Sequence, residues 1–325
     1  MERRTGFTEA DVRYLANLCH NCAECYYACQ YAPPHEFSVN LPKTLAEIRL
    51  ESYQRYTWPA PFAAAFRRNG LIVSLVVMLS LAAAMFATVW IPRPRRAGDF
   101  YAVVPHEAMV AMFGAVSAFV ALVFLAGLLR CWRESGGGWP GWAALGSSLG
   151  DVLRLRYLSS GGFGCTYPDE HHSQARRWFH HFTFYGFALC FAATSVAAIY
   201  HYAMGRIAPY GYLSLPVALG SAGGCGLLVG PAGLYWLKQR HDRALSDPRQ
   251  YGMDVAFLAL LFFTSLTGLL LLGLRESAAL PALLVIHLAA VMALLVTLPY
   301  GKFVHGMYRW VALVRDAVER SRARN

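Results

Sequence analysis

Apolar residues in this chain come in long unbroken runs, unlike the alternation of a strand or the single stripe of a surface helix. Six runs, at 71–91, 108–129, 178–202, 213–237, 255–274 and 280–298, are each long enough to cross about 30 Å of hydrocarbon at a helical rise of roughly 1.5 Å per residue. They predict an all-α polytopic membrane protein with six transmembrane helices. The pattern differs before the first run. Thr8, Glu9, Ala10 and Asp11 offer a helix start ahead of Val12, Leu15 and Leu18. Residues 42–56 read as an amphipathic helix turning Leu45, Ile48 and the 51–53 stretch inward. The Trp58-Pro59-Ala60-Pro61 break then divides the chain into a polar domain at 1–57, a membrane domain at 58–310 and a basic tail at 311–325.

Composition agrees: 56% hydrophobic and 15% charged residues exclude a soluble globule of ordinary make-up. A net charge of +10 does not point to nucleic acid here, because the basic residues cluster beside the apolar runs, where they set orientation. Arg67, Arg130, Arg154, Arg176, Lys238, Arg249 and the tail from Arg309 fall on one side of the membrane; Arg206, Arg275 and the trio Arg93, Arg95 and Arg96 fall on the other. The larger set predicts that both termini are cytoplasmic. The polar start, with the first apolar run near Gly70, is unlike a cleavable signal peptide. Gly211, Gly220, Gly223, Gly224, Gly226 and Gly230 make the fourth run rich in small residues, which predicts close helix packing.

The polar segment carries the densest chemistry. Cys19, Cys22, Cys25 and Cys29 have the C-x2-C-x2-C-x3-C spacing with which thiolates hold an iron–sulfur cluster of the 4Fe-4S type in bacterial ferredoxins. The last cysteine of such a run ligates a second cluster. A zinc knuckle is the first alternative, although structural zinc normally uses two cysteine pairs with a longer spacer between them. A disulfide framework is the second, and it would need an oxidising compartment. This stretch therefore reads as a small ferredoxin-like segment.

Histidines inside the apolar runs are the second feature, since ionisable residues there are costly and commonly functional. His287 and His305 are 18 residues apart, which at about 100° per residue is five whole turns and about 27 Å along one helix face. Pro299 lies between them, so the angular match is approximate. The third run offers His180 and His181 at its start and His201 near its end. Antiparallel crossing puts His180 or His181 at the depth of His305 and His201 at the depth of His287, with His180 sharing a face with His201 better than His181 does. Imidazole pairs at matched depth are what bis-histidine haem b needs, and two haems are expected. His106 is the reserve ligand for the outer site. Interfacial histidines bonded to backbone are the plainer reading of any one of these alone.

The long segment between the second and third runs contains glycines around Cys165 but no lysine and Ser/Thr pair after them, so it is no phosphate loop. A cap over the inner histidines or a docking surface for the cysteine segment suits it, and Cys165 is a spare ligand for a cluster. Cys131, Cys190 and Cys225 read as small apolar packing residues. His20 and His35 border the cysteines and read as surface polar residues.

Taken together, Leu18-Cys19-His20-Asn21-Cys22, the stretch 28–37, the stretch 164–170 and the stretch 175–186 resemble the tricarballylate/citrate-utilisation protein B family (TcuB/CitB). The likeness runs over essentially the whole chain. It implies a bacterial inner-membrane protein with 4Fe-4S and haem b, which reoxidises the reduced flavin of a partner FAD-dependent, tricarballylate dehydrogenase-like enzyme and passes the electrons to quinone. The His287 to His305 spacing is also similar to the haem-binding helix of nitrate reductase gamma subunits. Members of the first family usually carry a further cysteine quartet upstream, and Met1 to Arg4 resembles the stretch that follows it, so cluster number stays open. A histidine-relay transporter with a structural metal site is the alternative from another class, but it should show halved, inverted repeats with broken helices. A redox or iron sensor is the third.

Overall fold

The computed structural model describes residues 6–89 and 100–323. The arginine trio at 93–96, the end of the first predicted run and the stretch at Met1 to Arg4 lie outside the described residues. The polar domain is three helices and a loop. Helix α1 (Glu9–Leu18) starts in a capping box, where the Thr8 hydroxyl accepts from the Asp11 amide and the Asp11 carboxylate accepts from the Thr8 amide. A single turn, α2 (Glu24–Tyr27), sits within the cysteine loop. Helix α3 (Leu41–Tyr56) is capped by the Asn40 side chain, which accepts from the Lys43 amide. Its buried face is Ala46, Arg49, Leu50, Tyr53 and Tyr56; the predicted Leu45 and Ile48 stand at its margin. The stripe is turned because the Arg49 guanidinium reaches in to bond α1 and brings its neighbours with it.

Six apolar helices follow, the expected number. Helix α4 (Ala60–Val89) is interrupted at Asn69 (φ −163°, ψ 90°), whose side chain caps a new start by accepting from the Ile72 amide. After α5 (Phe100–Val103) come α6 (His106–Glu134) and α7 (Trp142–Leu153). A two-residue hairpin of β1 (Cys165–Thr166) and β2 (His172–Ser173) then pairs Cys165 opposite Ser173. The remaining helices are α8 (Ala175–Met204), α9 (Leu215–Arg240), α10 (Pro248–Gly273), α11 (Leu280–Thr297) and α12 (Val304–Arg322).

Two features of packing position the site. First, α8 lies along α9 through glycines: a Cβ on Gly223 would stand 2.8 Å from the Cys190 sulfur, one on Gly186 2.9 Å from the Gly223 carbonyl, and Gly230 and Gly233 press on Thr183 and Phe179. No comparably extended packing joins α8 to α6 or α11. Second, the sixth span does not run on to His305. Helix α11 stops at Thr297, Pro299 has no N–H with which to continue it, and α12 begins anew at Val304. The five-turn phase count between His287 and His305 therefore fails, because it assumes one helix. Residues 311–322 belong to α12 instead of a separate tail: Val311, Ala312, Leu313, Val314 and Ala317 are buried, and α12 packs on α1, α6 and α7. Leu50, Tyr53 and Tyr56 of α3, Phe66 of α4, Cys131 of α6, Met253 of α10 and Tyr308 of α12 share one apolar core that joins the polar domain to the bundle.

Candidate functional site

The cysteine loop begins where α1 ends, and the last carbonyls of a helix need donors from elsewhere. Arginines supply them. Arg49 Nε donates to the Ala16 carbonyl at 2.7 Å, and Arg309 donates to the Asn17 carbonyl at 3.2 Å and to the Cys19 carbonyl at 2.7 Å. Cations at a helix C-terminus are also favoured by the helix dipole. Further along, Arg176 Nη1 donates to the Asn21 carbonyl at 2.9 Å and the Thr166 hydroxyl to the Cys22 carbonyl at 2.7 Å. Asn21 (φ 52°) and Ala23 (φ 66°) take left-handed backbone, which winds the loop tightly between the first three cysteines. The Asn21 amide points at the Cys19 sulfur, 3.4 Å away. Burial pushes the Cys25 thiol up, with Cys19, Cys22 and Cys29 close enough to add to the effect. All eight cysteines are unpaired.

The charge around this loop suits an anionic group. Arg49 is only 5% exposed, and its Nη2 has no partner. Among the described residues, neither it nor Arg176 nor Arg309 has a carboxylate at ion-pair distance. Burial and the neighbouring Arg49 pull the Arg309 guanidinium down to about 10. Buried cations without a counter-charge are costly, and thiolate sulfurs holding a cluster would compensate them. Among the described residues no three His, Cys, Asp or Glu converge on a single-ion site. The Cys165 thiol is fully buried and donates to the Leu158 carbonyl at 3.1 Å.

One turn along their helices from Arg176 and Arg309 stand His180, in the second turn of α8, and His305, at the start of α12, with ring centroids 6.0 Å apart and planes at 63°. His305 Nδ1 faces the Lys302 carbonyl, which fixes the proton there and leaves Nε2 as the free lone pair. His180 Nδ1 is buried without a partner. Burial, then Arg309, keeps His305 neutral by pulling its pKa well below the usual histidine value. Two neutral imidazoles about 6 Å apart leave room for a metal with bonds of about 2 Å on each side. The predicted inner pair is thus brought together, and it fits haem iron. His181 is not part of it; its ring stacks on Tyr185 at 5.7 Å and 5°.

The outer histidines are arranged differently from expectation. His201 stacks on His106 at 4.0 Å and 29°, so the reserve residue, and not His287, is its neighbour. His287 Nδ1 instead shares a hydrogen bond of 3.2 Å with the Thr267 hydroxyl, its ring seated where Gly268 has no side chain. The depths explain the change: His201 lies near the end of α8 and meets the first residue of α6, whereas His287 is about two turns inside α11. Stacked rings at 4.0 Å leave no space for an iron between them, and this trio does not fit a second haem.

The β1–β2 hairpin clasps the cysteine loop, as the docking surface expected of this segment would, with His172 beside Glu24 at 3.2 Å as well as the Thr166 bond. Two contacts escaped the sequence. His20 is packed against Tyr157, with centroids 5.5 Å apart, and is no surface residue. Asp254 of α10 holds Lys238 of α9 at 2.7 Å and Lys302 of the α11–α12 junction at 2.9 Å. Only the arginines had a legible signal, since Arg176 and Arg309 stand one helical turn from His180 and His305.

A six-span helical bundle carrying a Fer4-like cysteine module is the class of protein these features define. The chain belongs to the citrate utilization protein B family: the family model of that description matches residues 63–325, and its Fer4-like domain matches residues 1–55. Citrate utilization protein B of Escherichia coli is 48% identical over 329 aligned residues, which cover 100% of this chain and 87% of that protein. No solved structure matches.

Proposed function

We propose that the protein takes electrons from a reduced FAD-dependent dehydrogenase acting in citrate or tricarballylate use and delivers them to quinone in a bacterial inner membrane, with both termini cytoplasmic. The observation that carries this reading is the fastening of the four-cysteine loop by Arg176 and Arg309, each one helical turn from a member of the His180–His305 pair. Cys19, Cys22, Cys25 and Cys29 would hold a 4Fe-4S cluster, and His180 and His305 a haem b; these groups supply one-electron relay when bound. The chain's own part is geometric and electrostatic. Left-handed turns at Asn21 and Ala23 shape the loop, arginines make it positive, and the Lys302 carbonyl fixes the His305 tautomer. The partner flavoprotein docks on the exposed side of the cysteine loop, near Cys25 and the hairpin.

The test is a dithionite-reduced minus oxidised spectrum of the purified protein, with iron, acid-labile sulfide and pyridine haemochrome measured on the same sample. Iron and sulfide together with b-type bands are expected, with the haem lost in His180→Ala and His305→Ala but kept in His181→Ala. Iron and sulfide without haem would sink the histidine assignment; absence of all three would sink the relay. Reporter fusions at the 242–246 loop should read cytoplasmic and fusions at 206–213 external.

A further inference from the structure

Arg176 and Arg309 come from two different helices and arrive at the same place. Arg176 precedes His180 by one turn of α8, and Arg309 follows His305 by one turn of α12, so each shares a helix face with one member of the inner histidine pair. Both side chains then reach away from the histidines to the carbonyls of Asn21 and Cys19, on either side of His20. Neither has a carboxylate partner among the described residues. Arg176 is braced from behind by the Tyr167 ring, 4.6 Å from its guanidinium, and Tyr167 in turn stacks on His241 at 4.1 Å. Arg309 feels the charge of Arg49, whose Nη2 has no partner. Ordinary surface arginines need none of this support, and it holds charge in one fixed place.

We propose that Arg176 and Arg309 are positioning residues that fasten the cysteine loop over the His180–His305 pair and, by their uncompensated charge, raise the reduction potential of the centre the cysteines hold. This rests on the relay reading above. Each reduction adds negative charge beside the sulfurs, and two fixed cations favour that state. The loop then accepts an electron from its donor more readily, and it cannot drift from the acceptor below, because the same side chains that carry the charge are built on the acceptor's own helices.

The experiment uses the full chain with its cofactors bound, in nanodiscs. Redox titration followed by electron paramagnetic resonance gives the potential of the iron–sulfur centre, and optical titration gives that of the haem. Arg309→Gln and Arg176→Gln should each disfavour reduction of the iron–sulfur centre by about tenfold, 59 mV for a one-electron couple, the size expected for one charge roughly 10 Å away at an effective dielectric of about 20. Iron, sulfide and haem contents should stay at the wild-type level. Arg309→Lys, which keeps the charge but not the two-pronged reach, should hold the potential and slow electron transfer between the centres. Arg243→Gln, on an exposed loop, is the control for charge alone. Potentials unchanged in both glutamine variants would reduce the arginines to plain helix caps and overturn the proposal. If Arg309→Gln loses its iron, Arg176→Gln and Arg309→Lys still decide the point. A wild-type protein without cluster or haem would overturn the relay reading instead, and this one with it.

Discussion

Asp11 is a small case of a residue with two tasks. It accepts from the Thr8 amide to close the capping box, and it accepts from Arg315 of α12 at 2.6 Å, so the start of α1 is tied to α12. The Thr8 hydroxyl, then Arg315, pull its carboxyl down to about 2. A depressed carboxylate contributes stability that is present above its unfolded value, near 4, and is lost as pH falls toward 2. The melting temperature of wild type should therefore exceed that of Asp11→Asn at pH 6, with the gap closing near pH 2; a gap that persists in acid would contradict this. Asp254 offers a larger effect at the same scale. It is the shared counter-charge of Lys238 and Lys302, so Asp254→Asn leaves two lysines unpaired inside the bundle and should cost about 3–5 kcal/mol. Adding Lys302→Met should restore part of that, as read by thermal unfolding in detergent.

Among the helices, the α8–α9 pair is set by absence of side chains. Gly230 lies against the Thr183 backbone and Gly233 against the Phe179 ring, so Gly233→Leu must displace that ring or push α9 away from α8 and should cost about 1–3 kcal/mol or more. Because Phe179 and His180 are neighbours, the same change should disturb the b-type spectrum that the proposed relay expects, whereas Gly211→Leu, with open space around it, should not. The apolar runs made the six spans legible, and the glycine pattern made this contact legible. The end of α11 was not. A run of apolar residues carries no mark of where one helix yields to another, and Pro299 alone reads equally as a kink or a stop. That one break voided the five-turn count between His287 and His305, while the outer pairing failed separately, because His201 at the end of α8 meets His106 and His287 lies about two turns inside α11. The arginines were visible in the sequence only as orientation charges, since nothing in one chain's order says that α8 and α12 converge.

Across the molecule, the polar domain supplies only part of the wall around its cysteines. Arg49 of α3 caps the helix that leads into the loop, while Arg176 of α8 with the β1–β2 hairpin and Arg309 of α12 hold the loop from outside that domain. These donors lie far apart in the chain, and α12 comes after all six spans. The order of synthesis then matters. The four cysteines leave the ribosome early but find their last fastening only when α12 has been made, so the nascent loop waits, open, through the whole of membrane insertion. Metal delivered during that interval would meet a flexible peptide, and metal delivered afterwards a formed cradle. On the proposed relay, cluster assembly should therefore follow insertion, and cutting the chain after Thr297 should yield a fully inserted bundle that cannot hold the cluster.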